Sequence, residues 1–323
     1  MSKPDSSMRA VTVHAWGGAD AARVEDRPIP APGPCEVQVA VVASSLNPLD
    51  YKARTGELRL LMRAKPPKVL GGDFSGTISA LGAGVTGFAI GDEVFGCVDE
   101  FTDARGSHAE YCVVPASALS RKPAGVTHEQ AASLTMAGVT AWQALTRHAG
   151  LKAGQRLLVL GGSGGVGSVA VQLGKALGAH VTATASAANA GLLRKLGADA
   201  CVDHGTTDYA SLPDRFDVIL DCAGTSSYFH ARPVLARGGG YLTTLPGPGT
   251  LLGLVLAPLL RQRVVMIVVK FLGSDGEKLA GLVGEGKVRP VLSRTLTLDE
   301  VPSALEAMRL GQRLPGKQVV RIR

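Results

Sequence analysis

Long hydrophobic runs, clustered charge and aromatic residues are all scarce in this chain of 323 residues. The longest apolar stretch, residues 251–260, contains a glycine and a proline and is too short to cross a bilayer. The first ten residues lack an apolar signal-peptide core, so we expect no secretion through such a signal. Only 4% of the residues are aromatic, and the basic residues are scattered, whereas nucleic-acid interfaces cluster both types. The sequence therefore predicts a soluble protein with no membrane or nucleic-acid partner.

Paired cysteines are absent as well. The chain has five cysteines, far apart and without a C-x-x-C motif: Cys35, Cys97, Cys112, Cys201 and Cys222. This pattern excludes a disulfide framework and a four-cysteine zinc site, and it favours reduced thiols in the cytoplasm. The 41 glycines follow no G-x-y repeat and fill no low-complexity tract, so collagen and disorder are excluded. The length predicts two domains, and a net charge of +7 is compatible with an anionic small-molecule partner.

The two halves of the chain differ in their periodicity. Up to about residue 125, short alternating segments such as residues 35–43 lie between Gly and Pro turns, which predicts a barrel-like β domain. Thr127 and Gln130 form a capping box that starts a helix. After Gly154, buried strands alternate with helices, which is typical of a doubly wound parallel sheet. We predict strands over 156–160, 181–185, 201–202, 216–221 and 241–245, helices over 164–177 and 190–196, and two more helices before a final strand, 318–322, that returns to the first domain.

The most informative segment is a glycine-rich loop between a predicted strand and a predicted helix. Gly162, Gly164 and Gly167 match G-x-G-x-x-G. In this context glycine allows a sharp turn, close approach of a pyrophosphate, and tight packing of the helix on the strand. The free amides and the positive dipole end of the helix then favour phosphate. The loop therefore predicts a dinucleotide site.

Two other phosphate or nucleophile motifs share these residues. A P-loop is excluded because Lys175 is followed by Ala176 rather than Ser or Thr. A hydrolase nucleophile elbow remains the weaker alternative: Ser163 lies in G-x-S-x-G, and Asp221 and His230 follow in the order that such a triad requires. That interpretation needs a parallel sheet before the serine, where the sequence predicts a β-barrel.

The second strand of the dinucleotide domain indicates which nicotinamide cofactor binds. NAD-binding sites place an acid about 20 residues beyond the loop to hold the ribose 2′-hydroxyl. Here no acid occurs before Asp199, which favours NADPH. Ser186 follows the strand and is a candidate donor to the 2′-phosphate, with capping of the next helix as its alternative role.

Several motifs taken together resemble a known family. They are the loop itself and the strings A-G-V-T-A-W at 137–142, L-G-A-D at 196–199, L-N-P-L-D-Y-K at 46–52, G-G-D-F-S-G at 71–76 and G-D-E-V-F-G at 91–96, with G-K-V-R-P at 286–290 and G-K at 316–317. In this respect the chain resembles the zinc-independent medium-chain dehydrogenase/reductases of the quinone oxidoreductase-like (alkenal/quinone reductase) branch. The resemblance implies an α/β fold, with a chaperonin-10-like β-barrel catalytic domain over residues 1–126 and 275–323. It also implies a Rossmann domain over 127–274 and an active site in the cleft between them.

The resemblance also implies a chemistry. Zinc-dependent members carry Cys, His and Glu where this chain has Asn47 and Gly72-Asp73, so we expect no catalytic metal. The implied reaction is transfer of hydride from NADPH to a quinone or an α,β-unsaturated carbonyl compound. A non-catalytic NADPH-binding sensor or scaffold is the alternative from another functional class. The apolar region 251–269 corresponds to an edge that often pairs subunits, so we expect a homodimer.

Residue roles follow from the same resemblance. Asn47, Asp50 and Tyr51 are the candidate catalytic residues near the nicotinamide, with forming a turn as the alternative role of Asn47 and capping a helix as that of Asp50. Asn47 would bond the substrate oxygen or the nicotinamide ribose, and Tyr51 or water would supply the proton. The candidate cofactor-binding residues, besides the loop glycines and Ser186, are Thr140, Ser163, Gly165, Val166, His204, Ala223, Gly224, Phe271, Leu272 and, toward a phosphate, Lys317. Many relatives carry Arg or Lys at Ala188, so we expect only a modest preference for NADPH.

Overall fold

The structure is a computed structural model that describes residues 6–245 and 247–323. Its strands are β1 (Ser7–Val13), β2 (Ala22–Pro28), β3 (Glu36–Ser45), β4 (Lys68–Val69), β5 (Asp73–Leu81), β6 (Glu93–Cys97), β7 (Tyr111–Pro115), β8 (Leu119–Arg121), β9 (Arg156–Leu160), β10 (His180–Ala185), β11 (Ala200–Asp203), β12 (Phe216–Asp221), β13 (Leu235–Thr243), β14 (Arg263–Met266), β15 (Leu292–Leu296) and β16 (Lys317–Arg321). Its α-helices are α1 (Pro48–Thr55), α2 (His128–Trp142), α3 (Gly165–Ala176), α4 (Ala190–Lys195), α5 (Tyr228–Ala231), α6 (Pro248–Leu256), α7 (Gly273–Gly284) and α8 (Val301–Arg309).

The chain forms two compact units. Unit 1 contains the chain up to Met136, Phe271–Gly284 and Leu292–Arg323, and unit 2 contains Ala137–Lys270 and Glu285–Val291. The sequence predicts boundaries near residues 126 and 274 instead. The first part of α2 belongs to unit 1, where its backbone is bonded: the Met136 backbone amide donates to the Asp73 carboxylate.

Unit 1 is built on two β-sheets, as its alternating valines predicted. The larger sheet has the order β15-β16-β3-β5-β6-β8, with β7 also paired to β3, and the smaller has the order β2-β1-β4. Inward-facing Val37, Val39 and Val41 are fully buried in one core cluster. The final strand β16 pairs antiparallel with β3, so the predicted return of the C-terminus to the first domain is confirmed. Strand β15, which pairs parallel with β16, was not predicted.

Unit 2 contains a six-stranded parallel sheet with the order β11-β10-β9-β12-β13-β14. This is the 3-2-1-4-5-6 order of a doubly wound dinucleotide-binding fold, so the predicted sheet is confirmed. Strands β9 and β12 have the predicted bounds. Strand β13 begins earlier than predicted, at Leu235, which pairs with Phe216 of β12 before a shift in register. The edge strand β14 was not predicted.

The helix starts follow from local chemistry. At the start of α2 the Thr127 amide donates to the Gln130 side-chain oxygen, and the Gln130 amide donates to the Thr127 hydroxyl, which confirms the capping box. Gly164 precedes α3 in an extended conformation. Within the described residues no helix has the length and apolar character needed to span a membrane.

Candidate functional site

In unit 2 the glycine-rich loop lies between the end of β9 and the start of α3, as predicted. The Gly161 amide donates to the Thr184 hydroxyl, and the Gly162 amide donates to the Thr184 carbonyl, which ties the loop to the end of β10. The first intrahelical bond of α3 runs from the Ser168 amide to the Gly164 carbonyl. The amides of Gly165, Val166 and Gly167 precede it and so have no acceptor within the helix. Free amides of this kind at a helix N-terminus suit an anion such as a phosphate.

Gly162 and Gly167 must be glycine because a side chain there would clash with the protein. Gly164 faces open space, where a side chain would instead cover the loop backbone. A Cβ on Gly167 would overlap the carbonyl of Gly161, and one on Gly162 would lie 2.8 Å from the Ala183 Cβ. A Cβ on Gly164 would meet no atom closer than the Gly161 carbonyl oxygen at 3.5 Å. The open side of the loop is therefore at Gly164 and the half-buried Ser163. This arrangement suits a pyrophosphate approaching the backbone.

The turn after β12 lies beside this loop. The Cys222 amide donates to the Leu160 carbonyl, and a Cβ on Gly161 would lie 2.9 Å from the Ala223 Cβ. The residue that organises this turn, Asp221, was not among the predicted cofactor-site residues. Its buried carboxylate accepts bonds from the amides of Ala223, Gly224 and Ser226 and from the Tyr241 hydroxyl. An acid ending a buried strand just before a glycine was the available signal.

The hydrolase alternative fails on this geometry. Asp221 is engaged in its own turn, and His230 bonds Asp208 at 3.0 Å instead. His230 is also exposed, with its ring edge against Tyr209. Ser163 therefore lacks the two triad partners that the sequence offered, and the nucleophile interpretation is wrong because both of them have other bonds.

The end of β10 carries the residues that would meet the 2′ position of an adenosine ribose. Ser186 is half-buried, and its hydroxyl accepts a bond from the Asn189 side chain at 3.1 Å. His204 and Ala188 are exposed. Asp199 lies at the other end of the strand, where its carboxylate accepts from the Val181 amide and pairs with Lys175. Asp203 was not predicted here; it pairs with Ala185 in the neighbouring strand and so brings an acid near this end.

In unit 1 a buried polar cluster joins Asn47, Asp73, Lys317 and Ser45. Asp73 accepts at one oxygen from the Ser45 hydroxyl (2.6 Å), the Asn47 amide nitrogen (2.8 Å) and the Lys317 ammonium (3.1 Å). Its other oxygen accepts from the Met136 backbone amide. Burial acts to raise the pKa of Asp73, but the Lys317 charge and these hydrogen bonds hold it below its usual value. Asp73 is therefore an ionised, fully buried carboxylate.

Lys317 is not a phosphate ligand, contrary to the prediction. It is only 7% exposed. Its ammonium donates to the Leu46 carbonyl (2.7 Å), the Asn47 side-chain oxygen (2.6 Å) and Asp73. Three acceptors satisfy all three of its N–H groups, so none remains for a ligand. The sequence could not show this, because residues 47, 73 and 317 lie on three elements that only the folded sheet brings together.

Asp50 faces the interior, not solvent. Its carboxylate accepts from the Asn47 backbone amide at 2.6 Å, so it closes a capping box at the start of α1, the alternative role weighed from the sequence. It also lies 3.4 Å from the ring of buried His108. Burial and the neighbouring Asp50 charge raise the pKa of Glu100 well above its usual value. Asp50, at the start of α1, therefore lies close to a second buried acid, Glu100.

Tyr51, the next residue on α1, lies in an apolar environment, unlike Asp50. It is half-buried against the apolar cluster that includes Leu46 and Leu305. Burial, followed by the negative charge of Glu57, raises the pKa of its phenol. Tyr51 is therefore protonated at neutral pH, as a proton donor must be.

The other predicted cofactor residues are distributed between the two units. Thr140 is buried in the part of α2 that belongs to unit 2. Phe271 belongs to unit 1, where its ring stands edge-on to Phe95 at 6.4 Å. The Leu272 carbonyl accepts from the Asp275 amide at the start of α7. Among the described residues no group of three or more His, Cys, Asp or Glu side chains is arranged to hold a metal ion, and all five cysteines are free.

Comparison with known proteins agrees with this architecture. Residues 33–124 match the family described as alcohol dehydrogenase GroES-like domain, and residues 196–320 match the family described as zinc-binding dehydrogenase. The predicted combination of a chaperonin-10-like domain and a Rossmann domain is thereby confirmed.

Individual relatives cover almost the whole chain. A chloroplastic quinone oxidoreductase of Triphysaria versicolor is 33% identical over 97% of this chain and 98% of its own length. A 2-methylene-furan-3-one reductase of Solanum lycopersicum is 33% identical over 98% of this chain and 79% of its own length. The solved quinone oxidoreductase of Coxiella burnetii is 31% identical, covers 98% of this chain and 100% of its own, and superposes with a TM-score of 0.90. The chain therefore belongs to the quinone oxidoreductase-like family of the medium-chain dehydrogenase/reductases, a family of NAD(P)-binding oxidoreductases.

Proposed function

We propose that this oxidoreductase uses NADPH to reduce a quinone or an α,β-unsaturated carbonyl compound without a metal ion. The observation that carries the proposal is the loop at Gly162–Gly167, whose open face at Gly164 and free helix amides suit a pyrophosphate. Similarity to a quinone oxidoreductase and to a reductase named for an exocyclic enone supports the substrate class. Both kinds of acceptor have electron-poor atoms that take hydride without a Lewis acid.

The donor set in unit 1 supports the metal-free part of the proposal. A zinc site needs thiolate, imidazole or carboxylate ligands with free lone pairs. Here the side-chain oxygens of Asp73 and Asn47 both bind the Lys317 ammonium, which already supplies a positive charge at that point. The residues present therefore do not fit zinc.

The bound nicotinamide supplies the hydride, and the protein supplies position and protons. The loop and the first turn of α3 hold the diphosphate. Asn47 donates a hydrogen bond to the substrate oxygen, and Tyr51 or a water molecule returns a proton. Ser186 favours the 2′-phosphate of NADPH. The proximity of Asp203 and the absence of a cation at Ala188 keep that preference small.

Absorbance at 340 nm tests the reaction directly. We expect NADPH to be consumed in the presence of 1,4-benzoquinone or acrolein, and not in their absence. Treatment with a metal chelator should leave the rate unchanged. Tight NADPH binding without consumption, across a panel of quinones and enals, would instead identify a cofactor-binding sensor.

We also propose a cytoplasmic homodimer that pairs through the edge of the unit 2 sheet. Strand β14 ends the sheet, and large apolar side chains on the preceding segment are exposed, among them Val255 (70%) and Leu259 (79%). An unpaired edge beside such a patch is typical of an interface. Sedimentation should give a dimer that Leu259→Glu converts to a monomer. The control Leu310→Glu, at a similarly exposed site in unit 1, should remain dimeric; dimeric Leu259→Glu protein would refute this interface.

A further inference from the structure

The Asn47 side chain is held between two buried charges of opposite sign. Its oxygen accepts from the Lys317 ammonium at 2.6 Å, and its nitrogen donates to the Asp73 carboxylate at 2.8 Å. An ammonium can only donate and a carboxylate can only accept, so the two partners determine which end of the amide is oxygen and which is nitrogen. The flipped amide would face a donor with a donor. The orientation of Asn47 is therefore dictated by its neighbours.

This arrangement leaves one hydrogen-bonding group of the amide unused. The amide nitrogen carries two N–H groups, and among the described residues only Asp73 accepts from it. Asn47 is 6% exposed, so the residue lies at the margin of the buried cluster. The second N–H of its amide is the hydrogen-bonding group that remains for a bound ligand.

The ammonium also changes the strength of that donor. A charged hydrogen bond to the amide oxygen draws electron density away from the nitrogen, and hydrogen bonds in a chain polarise one another in a medium of low dielectric constant. Because Asn47 and Lys317 are both nearly buried, water screens this effect weakly. The free N–H should be a stronger donor than an ordinary amide.

We propose that Lys317 and Asp73 are positioning residues that orient the Asn47 amide toward the substrate oxygen, and that Lys317 polarises its free N–H. The inference rests on the proposed function. When hydride adds to the β-carbon of an enone, the electron pair of the C=C bond shifts and the carbonyl oxygen takes the negative charge of an enolate. A proton added later at the α-carbon completes the reduction. Lys317 thus acts through Asn47 on the oxygen where charge develops, without touching the substrate.

The action of Lys317 on the substrate oxygen through the Asn47 amide is called the relay here. Three variants measure the relay under saturating NADPH. Removing a donor that stabilises a developing oxyanion costs about 100-fold or more in kcat, which is our expectation for Asn47→Ala. Lys317→Met should lower kcat by about tenfold or more, with little change in KM, because the interaction strengthens in the transition state. In the Asn47→Ala background, Lys317→Met should cause no further loss, because its effect passes through the missing amide.

Removing Lys317 alone leaves the Asp73 carboxylate buried without its cation, and this could prevent folding. The double variant Asp73→Asn/Lys317→Met removes both charges and keeps an amide oxygen as acceptor for Asn47. It should fold and show the same loss in kcat. The matched control is Lys122→Met, since Lys122 is also a nearly buried lysine in unit 1 bonded to a carbonyl and a carboxylate, Val126 and Glu93. It should retain the wild-type kcat.

The outcomes separate the relay from the proposed function. Wild-type protein that reduces no quinone or enone would overturn the proposed function and the relay with it. Wild-type turnover combined with an unchanged kcat in the folded charge-free double variant would overturn the relay alone. The relay is also overturned if Lys317→Met lowers kcat by an equal factor with and without Asn47, which is what a general structural defect would do.

Discussion

Substituting alanine for Gly164 tests whether the loop of unit 2 binds the dinucleotide. Gly164 has φ −77° and ψ −179°, which alanine adopts without strain. The new Cβ would lie 3.5 Å from its nearest protein atom, an ordinary contact. We therefore expect the free energy of unfolding to change by less than about 0.5 kcal/mol. The methyl group would nevertheless stand on the face that the pyrophosphate approaches, so the Kd for NADPH should rise about tenfold or more, which is about 1.4 kcal/mol or more of binding free energy.

The contrast with Gly167→Ala makes the test specific. There the Cβ would overlap the Gly161 carbonyl, a backbone atom that cannot move without shifting the loop. Overpacking of this kind costs about 1–3 kcal/mol, so this variant should lose both stability and affinity. Gly191→Ala, in α4 with nothing near its Cβ, is the matched control and should lose neither.

Isothermal titration with NADPH gives the affinities, and thermal melts of the unliganded proteins give the stabilities. Unchanged NADPH affinity in a stably folded Gly164→Ala protein would refute the assignment of the loop.

The remaining predictions concern cofactor choice, pH and the turn after β12. Wild-type protein should bind NADPH only a few times more tightly than NADH; Ser186→Ala should abolish this preference and Ala188→Arg should increase it, and equal affinities in the wild type would refute the role of Ser186. Because folding raises the pKa of Glu100 from its usual value of 4.5, the folded state binds more protons than the unfolded chain above that pH. This group therefore makes stability fall as pH rises, by up to about 1.4 kcal/mol per pH unit between the unfolded and folded pKa values. Melts across pH should show that slope in the wild type and a flatter profile in Glu100→Gln; parallel profiles would contradict it. Asp221→Asn should weaken NADPH binding and lower the melting temperature, because an amide group would face backbone donors, and an unchanged melting temperature would contradict this reason.

The glycine-rich loop and the edge strands differed in how far the sequence predicted them. The strand–loop–helix around Gly162 is local in sequence, and steric and hydrogen-bonding rules fix its shape over a dozen residues. The parallel, doubly wound sheet of unit 2 was predicted from its alternation of strands and helices, and the structure supplied its strand order. Short edge strands such as β14 and β15 were not predicted, because four or five residues show too little periodicity to identify a strand.

The amino-acid sequence by itself determined the α/β class, the glycine loop and the family, since these depend on periodicity and on motifs of neighbouring residues. Only the tertiary structure decided that Lys317 bonds Asn47 and Asp73, with no N–H left for a phosphate, and that His230 bonds Asp208 rather than Ser163. A charged side chain can bind a ligand only if its hydrogen bonds are not already made within the protein. That depends on which distant strands meet, and on the three-dimensional positions of a few donors and acceptors.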